Sequence, residues 1–315
     1  MRGIRRISIK KGRFFYSTET CSARFPPNLE HLKQSTNLKH LHFVNLTNYE
    51  DGSKIQNYII DQHITFKLLN KNSRAISSLL YPTVLTFEFN SVYTGGKRER
   101  DSKKATKIPI IDNITTLGVP YIQTDRGGQV TYHGPGQLVA YFIWDLKLWK
   151  NLTSKCFVNF IEKCSMNTIS ETGVNNVFKT ENTGVWIFEP ETKREEKISS
   201  IGLNIKRNVT SHGLSINLKP DLKYLNNPEF VMCGLNGYNQ TSIEKELGNK
   251  YPIDLNVDKL GDILCDSLKT RMNNYMMNMP NENVYKLNVE KKTINLQQYS
   301  LDNELFKSID DFIHV

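Results

Sequence analysis

The sequence lacks most of the features that would place it quickly. Its 315 residues include five cysteines, Cys21, Cys156, Cys164, Cys233 and Cys265, odd in number and scattered. None form a CxxC pair, so neither a zinc site nor a dithiol redox motif is indicated, and a disulfide-rich miniprotein is excluded. The longest apolar run, Leu138 to Trp144, is far short of the ~18–20 residues a membrane-spanning helix needs, so no membrane span is expected. There is no internal repeat, and a collagen and a coiled coil are excluded as well. Hydrophobic residues make up 38%, a low value but not a disordered one, because aromatics are plentiful. The length suits one large domain, or one domain with extensions, that buries its own core without metal or disulfide staples.

Acidic residues are missing from the start of the chain. Arg2, Arg5, Arg6, Lys10, Lys11 and Arg13 precede the first acid, Glu19. An Arg-rich, Ser-containing, acid-free start predicts a mitochondrial presequence over residues 1–16, with Arg13-Phe14-Phe15-Tyr16-Ser17 as a matrix-protease site. Removing residues 1–15 takes six positive charges and leaves +3 of the formal +9. Most of the basic character is then an address, which argues against a nucleic-acid partner. A reducing compartment such as the mitochondrial matrix fits the cysteine usage. Cys156 and Cys164, eight apart in an apolar helical pattern, read as core packing.

Residues 17–40, polar and containing Pro26-Pro27, read as a linker or extended arm. Ile55, Tyr58, Ile59 and Phe66 recur with helical spacing between Tyr49 and Leu69. Tyr81–Phe89 predicts a strand. Lys97–Lys107 reads as an exposed loop with a local charge of +4. Short strands at Tyr121–Thr124 and Gln129–Tyr132 flank the Arg126-Gly127-Gly128 turn. The loop His133-Gly134-Pro135-Gly136 then leads into a buried strand, Gln137–Leu146. A helix over 152–170 carries Phe157, Phe160, Ile161 and Cys164 on one side. Strands at Gly184–Phe188, Lys197–Ile205 and Gly213–Leu218 follow, then helices near 241–248 and 257–274 and a weakly patterned last forty residues. Strands and helices mix without strict βαβ alternation, so the fold class is α+β.

The chemistry concentrates in three segments. Arg126 to Tyr141, RGGQVTYHGPGQLVAY, is glycine-dense between strands. Gly127, Gly128, Gly134 and Gly136 let a ligand approach the backbone, whose N–H groups hold a carbonyl or an anion. Arg126 is there to hold a phosphate or shape the loop, and His133 stands at the rim to move protons. Two ordinary turns with a structural histidine fit the same residues. No GK[ST] follows, and a strand rather than a helix comes next, so neither a P-loop nor a dinucleotide fingerprint is present. In the second segment, Lys197 to Gly202, a strand aims a lysine beside small residues; a solvent-facing lysine is the plainer reading. The third is Val231-Met232-Cys233-Gly234-Leu235, where a cysteine before glycine serves as a nucleophile or as a buried structural thiol. Thr210-Ser211-His212-Gly213 adds a second histidine beside the Lys197 strand.

Taken in order, these segments resemble the lipoyl(octanoyl) transferase family, the octanoyl-[acyl-carrier-protein]:protein N-octanoyltransferases, from about residue 80 to 248. RGGQVTYHGPGQLVAY, KISSIGLNIKRNVTSHGLSINL and the Cys-Gly-Leu at 233 match the family pattern. The resemblance implies a biotin/lipoate protein ligase (BPL/LPL)-like catalytic domain, a mixed β-sheet with surrounding helices, expected over 41–255; residues 256–315, beyond the match, are expected to form a C-terminal helical extension. It places the acyl-thioester nucleophile on Cys233 and the pKa-lowering, proton-transferring lysine on Lys197. Substrate-binding positions fall on Arg126, Gly127, Gly128, Gln129, Val130, Thr131, Tyr132 and His133, on Ser200, Ile201 and Gly202, and on Gly213, Leu214 and Ser215. The implied donor is octanoyl-acyl carrier protein. The implied acceptors are lipoyl domains of 2-oxoacid dehydrogenase E2 subunits and the glycine cleavage H protein. No cofactor and no metal are expected. Where the family has a histidine before its x-x-V-Y-T segment this chain has Phe89, which is then expected to line the acyl slot. The acidic carrier gives the Lys97–Lys107 loop a possible use. An ATP-dependent lipoate-protein ligase is the alternative, but the chain lacks an SGGG-like signature and has a cysteine that a ligase does not need. A catalytically inactive acyl-carrier or lipoyl-domain binding protein is the third reading.

Overall fold

Gln137–Ile143 is apolar at almost every position because both of its faces are covered. The computed structural model describes residues 37–69, 80–100, 110–228, 237–276, 286–299, 301 and 303–314. Along them run β1 (Asn37–Thr47), α1 (Tyr49–Leu69), β2 (Thr83–Phe89), β3 (Val92–Gly95), β4 (Ile110–Ile111), β5 (Ile114–Thr115), β6 (Tyr121–Gln123), β7 (Thr131–His133) and β8 (Gln137–Ile143). Next come α2 (Ser154–Glu171), β9 (Val177–Phe178), β10 (Val185–Glu189), β11 (Arg194–Lys206), β12 (Val209–Asn217), α3 (Leu222–Leu225), α4 (Ile243–Leu247), α5 (Val257–Met276), β13 (Asn288–Asn295) and α6 (Asn303–Ile313).

An eight-stranded mixed sheet, in the order β13-β1-β2-β8-β12-β11-β10-β9, is the frame. β1 pairs in parallel with both β13 and β2, and the remaining neighbours pair antiparallel. Strand alternation splits β8 between two cores. Leu138, Ala140 and Phe142 pack with Phe157, Phe160 and Ile161 of α2 and Leu260, Leu264 and Leu268 of α5. Val139, Tyr141 and Ile143 pack with Ile55, Ile59 and Ile64 of α1 and Leu305, Ile309 and Ile313 of α6. A three-stranded sheet, β6-β3-β7, carries a smaller core of Tyr93, Val119, Val130, Tyr132 and Leu225. Helices thus cover both faces of one mixed sheet, an α+β architecture.

The ends of the chain depart from the sequence reading. Residues 37–40, expected in the linker or arm, begin β1, and β3 was not expected at all. β1 hides a polar set: Lys39 pairs with Glu290 at 2.5 Å, and His42 Nε2 lies 3.1 Å from Asp258 Oδ1. Those partners come from β13 and α5, so the segment after residue 255 is not a separate helical extension. It supplies an edge strand to the main sheet and a helix to the main core. The expected presequence and the rest of the expected arm lie outside the described residues.

Phe89 is fully buried, its ring stacked on Phe87 at 5.0 Å and tilted against Tyr49 at 5.2 Å. Gly52 of α1 makes room for it: a Cβ there would sit 2.7 Å from the ring. A mid-helix glycine ordinarily costs 0.5–1 kcal/mol relative to alanine, so packing has overridden propensity here. We expect Gly52→Ala to destabilise the fold by about 1–3 kcal/mol through overpacking, and by clearly less in a Phe89→Leu background. Denaturant unfolding of the four members of that double-mutant cycle checks it.

Candidate active site

Where β11, β12 and β8 meet the Arg126-Gly127-Gly128 turn, the sheet is short of side chains. Gly202 and Gly213 face each other across β11 and β12. A Cβ on Gly202 would come within 3.0 Å of the Gly127 carbonyl, and one on Gly213 within 2.1 Å of the Ala140 carbonyl. The turn can therefore lie directly on the strand, with the Gly127 N–H donating to the Leu203 carbonyl at 2.8 Å. A cavity of about 730 Å³ opens beside this contact.

Arg126 is buried beneath the turn. Its guanidinium donates to the Thr94 hydroxyl at 2.8 Å through Nη2 and to the Gly127 carbonyl at 3.1 Å through Nη1. Of the two roles anticipated for it, the structure shows the shaping of the loop. At the inner wall are Tyr49, His133, Val139, Tyr141 and His212. His133 is not a rim residue but an interior one. Its Nδ1 lies 2.7 Å from Gln137 Oε1, and Gln137 donates to Asn217 at 2.8 Å. Burial, with a smaller push from Arg126, lowers its pKa to about 4 despite the Gln137 bond. His212 is lowered to about 3 by burial first, then by Arg126 and His133. Both imidazoles are neutral near pH 7. Burial also raises the pKa of Tyr49 and Tyr141, so the inner wall is uncharged.

Lys197 sits on the opposite wall, 4% exposed. Its main chain is bridged to the 239–241 segment: its N–H donates to Asn239 O, and its carbonyl accepts from Thr241 N, both at 2.9 Å. A register shift between β10 and β11 falls beside it. The ammonium donates to the Thr183 carbonyl at 2.8 Å and lies 5.4 Å from the centre of the Trp186 ring. Cys233 lies outside the described residues. Of the described residues on either side of that segment, Asn226 accepts from Gln240 N at 2.7 Å and donates to Gln240 O at 2.9 Å, and Gln240 forms a parallel bridge with Lys197.

Of the positions expected to bind substrate, Arg126, Gly127, Gly128, Gln129, Thr131, His133, Ser200, Ile201, Gly202, Gly213, Leu214 and Ser215 line this one cavity with Lys197. Val130 and Tyr132 do not. They are 0% and 1% exposed and turn into the small core of the three-stranded sheet, because alternation along β7 sends them away from Thr131 and His133. Phe89 is not on the wall either; it stands behind Tyr49, His133 and Tyr141. The sequence reading missed Tyr49, which no motif marks, and the Asn182-Thr183 backbone. Tyr141 closes the motif, and its place in the alternation of β8 was readable.

A family model, the lipoyl protein ligase A/B catalytic domain, matches residues 62–269. The chain belongs to that family. Its curated relatives are acyltransferases, and so is this enzyme. A mitochondrial octanoyltransferase of Kluyveromyces lactis is 36% identical over 251 residues, covering 67% of this chain and 74% of that protein. The mitochondrial octanoyltransferase of Saccharomyces cerevisiae is 31% identical over 250 residues, covering 66% and 74%. Among solved structures, one from an archaeal lipoylation system of Thermoplasma acidophilum, a bipartite lipoate protein ligase and its E2 lipoyl domain, shares the fold. Its TM-score is 0.51 at 14% identity, covering 85% of this chain and 92% of that one.

The buried imidazoles set a pH dependence. His133, His212, His40 and His63 all have folded pKa values lowered to about 3–4, chiefly by burial. The unfolded chain takes up those protons near pH 6.5. The unfolded state therefore binds more protons between about pH 4 and 6.5, and stability falls as pH drops through that window. Each group contributes up to about 1.4 kcal/mol per pH unit there. Chemical denaturation at pH 7.5, 6 and 5 should show this decline, and His63→Phe should make it shallower.

Proposed function

We propose that the enzyme moves an octanoyl group from octanoyl-acyl carrier protein, through a thioester on Cys233, to the target lysine of lipoyl domains in the mitochondrial matrix. The observation that carries the reading is the Lys197 ammonium, held on the cavity wall beside the main chain that leads to Cys233. The two octanoyltransferase relatives described above, both mitochondrial, support it.

An ammonium close to a thiol favours the thiolate. The Cys233 thiolate attacks the donor's thioester carbonyl, and the C–S bond to the carrier's prosthetic thiol breaks. That departing thiolate takes a proton from Lys197. The acceptor lysine, as a neutral amine, then attacks the acyl-enzyme. Lys197 accepts the proton that the new amide nitrogen loses, Cys233 leaves as the thiolate, and the starting ion pair is restored. Backbone N–H groups of the glycine turn suit the tetrahedral oxyanion. The uncharged inner wall, with Val139, Leu214 and the two tyrosines, suits an alkyl chain. Burial is worth about 0.8 kcal/mol per CH₂, enough to read chain length. Exposed Lys97, Arg98 and Lys155 on the lining suit an acidic carrier. The Lys103 and Lys104 part of the basic loop lies outside the described residues.

Intact-mass spectrometry of the enzyme with octanoyl-acyl carrier protein and no ATP tests this. A hydroxylamine-labile octanoyl adduct should form, vanish in Cys233→Ala and pass to an added lipoyl domain. Lys197→Met should slow its formation by about 10²–10⁴-fold. Modification that needs ATP and free acid would instead make the protein a ligase.

A further inference from the structure

Glu162 is a carboxylate placed where the helix pattern calls for an apolar side chain. It lies on the buried face of α2, next to Ile161 of the main core, and is 4% exposed. A buried charge is costly unless it is paired and hydrogen-bonded. Here one oxygen accepts the Gly184 N–H at 2.9 Å and the other pairs with Lys179, which also donates to Asn159 at 2.7 Å. The carboxylate thus joins Lys179 to one backbone position, the end of the turn between β9 and β10.

That turn is what holds Lys197. The Thr183 carbonyl accepts the ammonium. Gly184, at φ +127°, lies so close that a Cβ would stand 2.5 Å from Lys197 Cε. Trp186, whose ring faces the ammonium, donates its indole N–H to the Asn182 carbonyl at 3.1 Å. On the same helix, Ser165 donates to Ser199 of β11 at 2.9 Å and fixes the strand two residues beyond the lysine. Helix α2 therefore grips both sides of the lysine: the strand through Ser165 and the turn through Glu162.

We propose that Glu162 is a positioning residue for Lys197, its buried carboxylate fixing the 180–184 turn whose backbone carbonyl directs the ammonium into the cavity. The proposal takes from the functional reading only that Lys197 carries the proton transfers.

The test is trace labelling of the full chain with isotope-coded acetic anhydride from pH 7 to 10, each lysine read by mass spectrometry. Lys197 should label slowly in the native enzyme. In Glu162→Ala its labelling should rise by about tenfold, as expected for a locally opened turn. Buried Lys39, far away on β1, and exposed Lys54 should not change. Glu162→Gln keeps an acceptor for Gly184 and should stay within about threefold of the native rate. In parallel, kcat for octanoyl transfer should fall about tenfold in Glu162→Ala, with KM for the lipoyl domain unchanged, and recover in Glu162→Gln. If Glu162→Ala does not fold, Glu162→Met, which keeps the side-chain volume on the buried face of α2 but offers Gly184 no acceptor, should raise Lys197 labelling in the same selective way in a folded protein. Unchanged Lys197 labelling, or a rise matched by Lys39, overturns the proposal. The labelling does not depend on acylation, so an enzyme that forms no Cys233 adduct would sink the functional reading and leave the Glu162 result standing.

Discussion

A guanidinium taken out of water costs several kcal/mol unless its donors are met. Arg126, 7% exposed, meets the requirement with the Thr94 hydroxyl and carbonyl and with the carbonyl of the next residue. Those bonds tie the three-stranded sheet to the glycine turn. The turn is tied to β11 through Gly127, and Gly202 and Gly213 leave the space in which this joint fits. Arg126 thus adds side-chain bonds to the backbone bonds that hold the turn on the strand and form one wall of the cavity. The same charge reaches further: after burial itself, it is one of the causes that keep His133 and His212 unprotonated.

The cavity therefore has two characters. Its inner side is made of neutral imidazoles, phenols and apolar side chains, and its opposite wall carries Lys197 with its ammonium bound to a carbonyl. Exposed cations flank the glycine turn at Lys97 and Arg98. An elongated ligand with an uncharged tail and a reactive, polar head matches that gradient. The wall charges also set which groups can exchange protons. His133, expected to move protons, is held neutral by burial, as is His212; in the proposed reaction the proton transfers rest on Lys197.

What the sequence made legible was local. RGGQVTYHGPGQLVAY gave the turn, the strand behind it and most of the lining, because glycine spacing and strand alternation are written in consecutive residues. The same alternation, applied to Val130 and Tyr132, would have sent them to the other side of β7. Tyr49 and Glu162 were not legible, since each acts on a partner brought near by the fold. Phe89 was expected to line the cavity because it stands where the family has a histidine, yet Gly52 offered it a deeper place. β1 was concealed by Lys39, His40 and His42, whose partners Thr86, Asp258 and Glu290 lie far along the chain. A strand that looks polar alone becomes a buried one when distant residues answer its charges.

That last arrangement has a bearing on how the protein comes into being. β1 and β13 pair residue for residue from Asn37 with Asn288 to Val44 with Asn295. A chain made or threaded from its N-terminus presents β1 early, with β2 on one flank and bare backbone groups on the other until β13 arrives. Contacts of such sequence separation form late and slowly. For that interval β1 is an open sheet edge, the kind of surface on which nascent chains stick to one another. The exposed charges of β13 guard the finished edge, but the unfinished one depends on whatever shields the chain during synthesis or transport.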